Sequence, residues 1–331
     1  TSRCAKSHIN IGTRPARILL EKVNVVPSQT TNICTLPSRV LLATDLADLK
    51  HILPVAIAHA LKCKAELKLL HVLPDIHTPD VDPTLLVFAD PEAVRRYAET
   101  VLENAAKEAR GAGVTCSWTA RPGHVVPTIR EVVKEWKPDR ILVGSQGPEK
   151  FQLGILGSVA EAIFREIDVP VLAIGPAFQH SSHSPSQRAR ILFATALDRA
   201  SRTITKSVLE FARVHDADLT MLHVMPVVTK AHPSTQRARA YAEQVFQAIL
   251  SEVGEKDLRP TCVIELGQIV ETILRVAKSG RFDLIILGAV SGSAFRREIM
   301  PGTAHGVLCG APCPVMVLKE ALDRHMVSFA S

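Results

Sequence analysis

The sequence predicts two tandem α/β units, each built on a doubly wound, five-stranded parallel sheet. A long internal repeat, an alternation of short apolar runs with longer amphipathic segments, and the chain length together predict it. Arg39-Val40-Leu41-Leu42-Ala43-Thr44-Asp45 recurs as Arg190-Ile191-Leu192-Phe193-Ala194-Thr195-Ala196. His71-Val72-Leu73-Pro74 recurs as His223-Val224-Met225-Pro226, and Thr115-Cys116 as Thr261-Cys262. Asp139-Arg140-Ile141-Leu142-Val143-Gly144 matches Asp283-Leu284-Ile285-Ile286-Leu287-Gly288, and Val169-Pro170-Val171-Leu172 matches Cys313-Pro314-Val315-Met316. The order is kept and the offset stays between 144 and 152 residues, far longer than the repeat of a solenoid. A chain of 331 residues also suits two domains at about 150 residues each.

In the first copy the short runs Val40–Ala43, Leu67–Val72, Val114–Trp118, Ile141–Val143 and Val171–Ile174 are rich in Val, Ile and Leu and predict buried strands. Between them, 49–63, 91–110, 125–136 and 158–167 predict helices. Pro91 and Gly111 stand where the second of these should start and stop. Its core face is expected to carry Val94, Tyr97, Ala98, Val101, Leu102 and Ala105. Strands alternating with helices give a parallel sheet covered on both faces. Right-handed crossovers make it a doubly wound, Rossmann-like sheet. The closing runs 171–174 and 315–318 are expected to be the edge strands of their units. Bare apolar edges are usually covered, so the two units are expected to pack on each other there, as a dimer within one chain.

The domain boundaries expected are an unassigned extension over 1–37, a first unit over 38–176, a linker over 177–189, a second unit over 190–320 and a tail over 321–331. The linker is rich in Ser, His and Gln. The extension has no counterpart in the second copy, though 16–20 reads as a stray strand.

Composition narrows the function. An apolar fraction of 47% is that of an ordinary globular protein. No apolar run of about 18 residues is present and no signal-like leader is seen. The expectation is a cytoplasmic protein with no membrane partner. Seven scattered cysteines fit reduced, buried thiols. Cys309 and Cys313 lack a second pair and are not read as a zinc site; Cys309 is expected in a helix. A net charge of +6 without a basic block gives no nucleic-acid reading.

Ligands of such sheets bind beyond the carboxyl ends of the strands, where strand order reverses. There the first copy places Thr44-Asp45 after its first strand and Gly144-Ser145-Gln146-Gly147 after its fourth. After nine intervening residues Gly157-Ser158-Val159 opens a helix. Glycines let backbone approach a ligand or adopt positive φ, and N–H groups at a helix start hold phosphate oxygens. A carboxylate at Asp45 can accept from ribose hydroxyls, or can cap the helix that follows. Ser158 with Glu161 is also a capping box, leaving its N–H for the ligand. His71 and His223 are read as packed structural histidines, Cys116 and Cys262 as one repeated core position, and His124 as a helix start.

These residues resemble the universal stress protein family in its tandem form. The family pattern of Gly, two residues, Gly, nine residues, then Gly-Ser or Gly-Thr is matched by Gly144, Gly147, Gly157 and Ser158. The resemblance is good over 39–175 and weaker over 190–319. It implies a sheet like that of adenine nucleotide alpha hydrolases and a stress-response regulatory role. It implies an ATP or AMP site in which Ala43, Thr44 and Asp45 line adenine and ribose. Val72 would offer backbone contacts, and Gly144, Ser145, Gly147, Gly157, Ser158 and Val159 would hold ribose and phosphates. Nucleotide-binding members are not efficient hydrolases. No catalytic residue or dedicated metal ligand is assigned here, and Mg²⁺ would arrive on the phosphates of ATP. A slow hydrolysis would have only Gln146, Glu149 and Lys150 in the motif loop to draw on.

The second copy departs from the pattern. Ala196 replaces Asp45, and Gly288 is followed by Ala289-Val290-Ser291-Gly292, which displaces the second glycine by one residue. Gly302-Thr303 remains. Asp198 substitutes for the lost carboxylate or, more simply, N-caps the next helix. The function expected is an adenine-nucleotide-binding regulatory protein with its site in the first copy. The alternative is a non-catalytic scaffold or small-molecule carrier using the second. Homodimers are a further assembly open to it, and its protein partner is unassigned.

Overall fold

The computed structural model describes residues 36–73, 90–144, 162–164, 166–178, 188–197, 199–226, 233–253, 259–289 and 303–319. The first copy runs β1 (Arg39–Ala43), α1 (Leu49–Cys63), β2 (Glu66–Leu73), α2 (Pro91–Gly111), β3 (Cys116–Pro122), α3 (Val125–Trp136), β4 (Arg140–Gly144) and β5 (Val171–Ile174). The second runs β6 (Arg190–Ala194), α4 (Arg199–Val214), β7 (Asp218–Met225), α5 (Pro233–Val253), β8 (Thr261–Leu266), α6 (Ile269–Gly280), β9 (Leu284–Ala289), α7 (His305–Gly310) and β10 (Val315–Lys319). Residues 162–164 and 166 are also helical. The extension over 1–35, including the strand expected at 16–20, lies outside the described residues, as does most of the linker.

Within each copy the strands are parallel, and β5 pairs antiparallel with β10 through Val315↔Ala173, Met316↔Leu172 and Val317↔Val171. One ten-stranded sheet results, in the order β3-β2-β1-β4-β5-β10-β9-β6-β7-β8. Every residue of β5 is buried, because the last strand of the other copy takes up its free edge. Strand order reverses between β1 and β4 in the first copy and between β6 and β9 in the second, so each has a crevice there.

Apolar side chains cover both faces. Val40, Leu42, Leu142 and Leu172 pack with α1 and α2 on one face, while Leu41, Ile141, Val143 and Ala173 pack with α3 and Phe164 on the other. That alternation follows from the period of two along a strand. At the amino end of the strands, the Asp139 carboxylate accepts from the Ser38 N–H at 2.8 Å, the Ser38 hydroxyl at 2.8 Å and the Arg39 N–H at 2.9 Å. Asp283 accepts from Arg190 N–H at 2.8 Å. The repeated aspartate therefore ties the start of each copy's first strand.

Three expectations are corrected. The third strand is Cys116–Pro122, not 114–118; on an outer position only one neighbour, β2, holds it, so it need not be apolar throughout. The second helix runs one residue past the expected 91–110 and ends at Gly111, the glycine expected to stop it, while the left-handed backbone falls at Gly113, with φ 93°. Its core face is Ala98, Leu102, Ala105, Ala106 and Ala109, while Val94 and Tyr97 are exposed, at 41% and 65%. The Asp90 carboxylate starts that helix by accepting from Glu92 N–H at 3.0 Å, with Pro91 at its first position.

A polar cluster lies where α1 meets α4. Arg140 is 1% exposed, donates from Nη1 to Nε2 of His59 on α1 at 3.3 Å and stands 5.4 Å from the ring of Phe211 on α4. The Phe211 ring contacts His215 at 4.1 Å between centroids. Guanidinium has no acceptor, so Nε2 of His59 must be unprotonated. Burial and then the charge of Arg140 lower His59 to about 3 and His215 to about 4. Among the described helices none is long and apolar enough to cross a membrane.

Candidate functional site

The open end of the crevice in the first copy is built by the loop that leaves β1. Thr44 N–H donates to the Leu70 carbonyl at 3.0 Å, which carries the chain one residue past the strand. Leu46 then adopts φ 74°, a conformation costly for a side chain with a Cβ. The turn is held by side chains. Leu46 N–H donates to the Thr44 hydroxyl at 2.9 Å, and Asp45 Oδ1 accepts from the N–H groups of Ala47 at 3.0 Å and Asp48 at 3.2 Å. The imidazole of His71 on β2 clips the loop from the side, with Nδ1 2.9 Å from the Thr44 carbonyl. A carbonyl can only accept, so Nδ1 carries the proton. The packed reading of His71 is thereby given a partner, and His223 repeats it on the Thr195 carbonyl at 2.9 Å.

Both uses of Asp45 are open at once. Its Oδ1 holds the turn before α1, and the residue is exposed, so the carboxylate also faces solvent at the mouth. Ala43 is half-buried, Thr44 is 8% exposed and Val72 is 9% exposed. The register sets Ala43 beside Val143 of β4 and beside Leu70 of β2. The structure thus brings Ala43, Thr44, Asp45 and Gly144 to one end of the crevice, with Val72 two residues beyond the β2 partner of Ala43. Ser145, Gly147, Gly157, Ser158 and Val159, like Gln146, Glu149, Lys150 and Asp198, lie outside the described residues.

Asp48 is the residue that sequence reasoning missed. It begins α1 without capping it, is 6% exposed, and its Oδ1 accepts from the Thr44 hydroxyl at 2.8 Å. Its Oδ2 lies 1.6 Å from where a Cβ on residue 144 would stand. Gly144 is not among the residues with positive φ. Glycine is needed there for room, because the Asp48 carboxyl occupies the space a side chain would take. Burial, and next the charge of Asp45, push the Asp48 carboxyl up to about 7.

The corresponding end of the second copy keeps the backbone and changes the chemistry. Thr195 N–H donates to the Leu222 carbonyl at 2.9 Å, Leu197 has φ 58°, and its N–H donates to the Thr195 hydroxyl at 3.2 Å. Ala196 offers no carboxylate. A Cβ on Gly288 would meet Ile204 methyl carbons at 3.2 and 3.4 Å, where the first copy has a carboxyl. In α7, Cys309 Sγ lies 3.7 Å from His305 Nε2, and burial pushes the Cys313 thiol up to about 12. No group of three or more potential metal ligands forms among the described residues.

Fold and crevice together define a tandem, doubly wound α/β protein whose two crevices have diverged in their side chains. A sequence model of the Universal stress protein family matches the chain twice, over residues 38–175 and 187–319, and the chain belongs to that family. A universal stress protein from Archaeoglobus fulgidus has a similar structure, with TM-score 0.62 and 22% identity, covering 88% of this chain and 98% of its own. A functionally unassigned protein from Pseudomonas aeruginosa gives TM-score 0.56 at 18% identity, over 87% and 94%. A universal stress protein from Synechocystis is 24% identical over 148 residues, 41% of this chain and 96% of that protein.

Proposed function

We propose that this chain is a cytoplasmic, adenine-nucleotide-binding regulatory protein of the stress response, with ATP or AMP held by the first copy, residues 38–176. The observation that carries the reading is the loop after β1, which presents the exposed Asp45 carboxylate beside Gly144 where strand order reverses. Asp45 accepts from ribose hydroxyls, Ala43, Thr44 and Val72 line the base, and Gly144 opens the loop toward the phosphates. Ser145, Gly147, Gly157, Ser158 and Val159 complete it by holding ribose and phosphates. Mg²⁺ is carried by the phosphates when the ligand is ATP. The role proposed for the site is binding rather than efficient turnover.

Calorimetric titration of the full chain with AMP and with ATP tests this. One nucleotide per chain is expected. Asp45→Ala should weaken binding by about 1.5–3 kcal/mol, the loss of a hydrogen bond to a charged group, or roughly tenfold to a hundredfold. Two equal sites per chain would overturn the asymmetry. Absence of binding would favour the second reading, a scaffold or small-molecule carrier using the second copy, whose crevice has the Ile204 methyl groups beside Gly288.

A further inference from the structure

We propose that the nucleotide site of the first copy is proton-linked through Asp48: the ligand binds the form in which Asp48 is protonated, and ionisation of that carboxyl weakens binding. The inference rests on the nucleotide reading above and adds a control to the same site.

The geometry is that of a carboxyl with little to stabilise a charge. Asp48 is 6% exposed and its Oδ2 is pressed against the Gly144 backbone, from which the glycine-rich loop departs. The hydroxyl of Thr44 donates to Oδ1 at 2.8 Å. Among the described residues, the elements around this end of the crevice offer no buried cation. Asp45, three residues earlier, is an acid. On β2 the titratable group at this end is His71, which is turned to the Thr44 carbonyl. The described end of β4, 141–144, has no ionisable side chain, and Lys50 and His51 in the first turn of α1 are exposed to solvent.

With Asp48 protonated, the two acids share one negative charge, and Asp45 stays in place to hold Ala47 and Asp48 N–H groups. With Asp48 ionised, two carboxylates stand side by side, one of them desolvated, at the mouth where anionic phosphates must come. Like charges at a shared site disfavour double ionisation, and the carboxyl titrates near pH 7 because it is buried and because Asp45 is beside it. Ionisation therefore acts against the ligand by setting a second negative charge beside the Asp45 acceptor and in the path of the phosphates. The second copy has Ala196 and Arg199 at the matching positions and cannot repeat the device.

The test is calorimetric titration of the full chain with AMP from pH 6 to 8.5, for the native protein and for Asp48→Asn. The ratio of the two Kd values at each pH cancels the titration of the AMP phosphate itself. The native Kd should rise relative to that of Asp48→Asn by about tenfold or more across this range, the limit being tenfold per pH unit above the transition. At pH 8 the native protein should also take up a proton on binding AMP, measured in two buffers of different ionisation enthalpy. A ratio constant across the range, with AMP bound throughout, overturns proton linkage and leaves the nucleotide reading standing. Absence of AMP binding by the native protein at every pH overturns both. Should Asp48→Asn fail to fold, the native protein alone decides: no proton uptake at pH 8 overturns the inference.

Discussion

The two crevices are the same backbone carrying different chemistry. In both, the chain passes β1 or β6, turns through a leucine with positive φ, and bonds that leucine's N–H to a threonine hydroxyl. A histidine on the next strand holds the threonine carbonyl at 2.9 Å in each. What differs is the load: Asp45 and Asp48 against Ala196 and Arg199, and a carboxyl against methyl groups beside the glycine of the fourth strand. The turn, its strain and the histidine clip therefore belong to the fold, since they persist where the carboxylates do not. On the function proposed, the acids are what separate a ligand site from its folded relic.

Four sets of substitutions test the difference between the two copies. The largest effect is expected at the paired glycines. Gly144→Ala places a methyl group on the Asp48 carboxyl and should cost about 3 kcal/mol, in the upper range for overpacking. Gly288→Ala meets Ile204 at 3.2 Å and should cost less than about 1 kcal/mol. Thermal unfolding measures both, and equal costs would show that Asp48 does not set the requirement for glycine.

Next comes the stability of Asp48 itself. In the folded chain its carboxyl titrates at about 7, above the ordinary value of 3.8, so the native state holds a proton that the unfolded chain has released. That contribution is complete below about pH 4 and is lost as pH rises to about 7. Asp48→Asn should remove this slope and gain roughly 2 kcal/mol over the native protein at pH 8. That figure takes about 1.4 kcal/mol for each pH unit separating folded from unfolded titration, with a discount for coupling to Asp45. Denaturant unfolding at pH 5 and pH 8 checks it; a gain that is the same at both would break the assignment.

Smaller still is the structural share of Asp45. Asp45→Ala should lower stability by about 1 kcal/mol, the usual worth of such a cap. Ala196→Asp should restore little nucleotide binding, because the interval from Gly288 to Gly302 is one residue longer than that from Gly144 to Gly157. Native-like affinity in Ala196→Asp, read by AMP titration, would show that glycine spacing does not select the ligand.

The smallest effect is expected where α1 meets α4. His59 and His215 are depressed below the ordinary value of 6.5, so the stability they contribute is complete above about pH 6.5 and is lost as pH falls toward 4 and 3. Arg140→Met removes the charge that adds to their depression. A buried ion exchanged for an apolar residue of similar size is often tolerated. The acid-unfolding midpoint should move down by about half a pH unit, a fraction of the energy in one full unit, as followed by circular dichroism. A midpoint that moves up would mean Arg140 protects rather than sensitises this contact.

Much of the fold is legible in the sequence, and what is not has a common cause. Helices α1 and α3 fall on the ranges that periodicity predicts, 49–63 and 125–136, because their buried faces are written in local spacing. The outer strand β3 escapes that logic because Thr119-Ala120-Arg121-Pro122 carries no apolar signal; its pairing with β2 supplies what the residues do not. Val94 and Tyr97 sit at helical spacing but turn away from the sheet, and spacing alone does not say where a face ends. Asp48 reads locally as one more acid at a helix start. Its burial arises from contact with Gly144, far along the chain, and no local pattern encodes that. Arg140 reads as the charged boundary of a strand, yet helices from both copies cover it.

The pairing of β5 with β10 also sets the timetable of synthesis. Ile174 leaves the ribosome with its strand's outer edge uncovered, and the strand that covers it ends at Lys319, about 145 residues later. At roughly 5–20 residues per second, the first copy waits on the order of 7–30 s with a fully apolar strand at its rim. During that interval the nascent chain is open to capture by a neighbouring polypeptide on the same messenger, whose own β5 has the same sequence and is equally bare. Joining two units in one chain thus secures their one-to-one pairing in the finished protein while lengthening the period in which the wrong partner can reach the edge first.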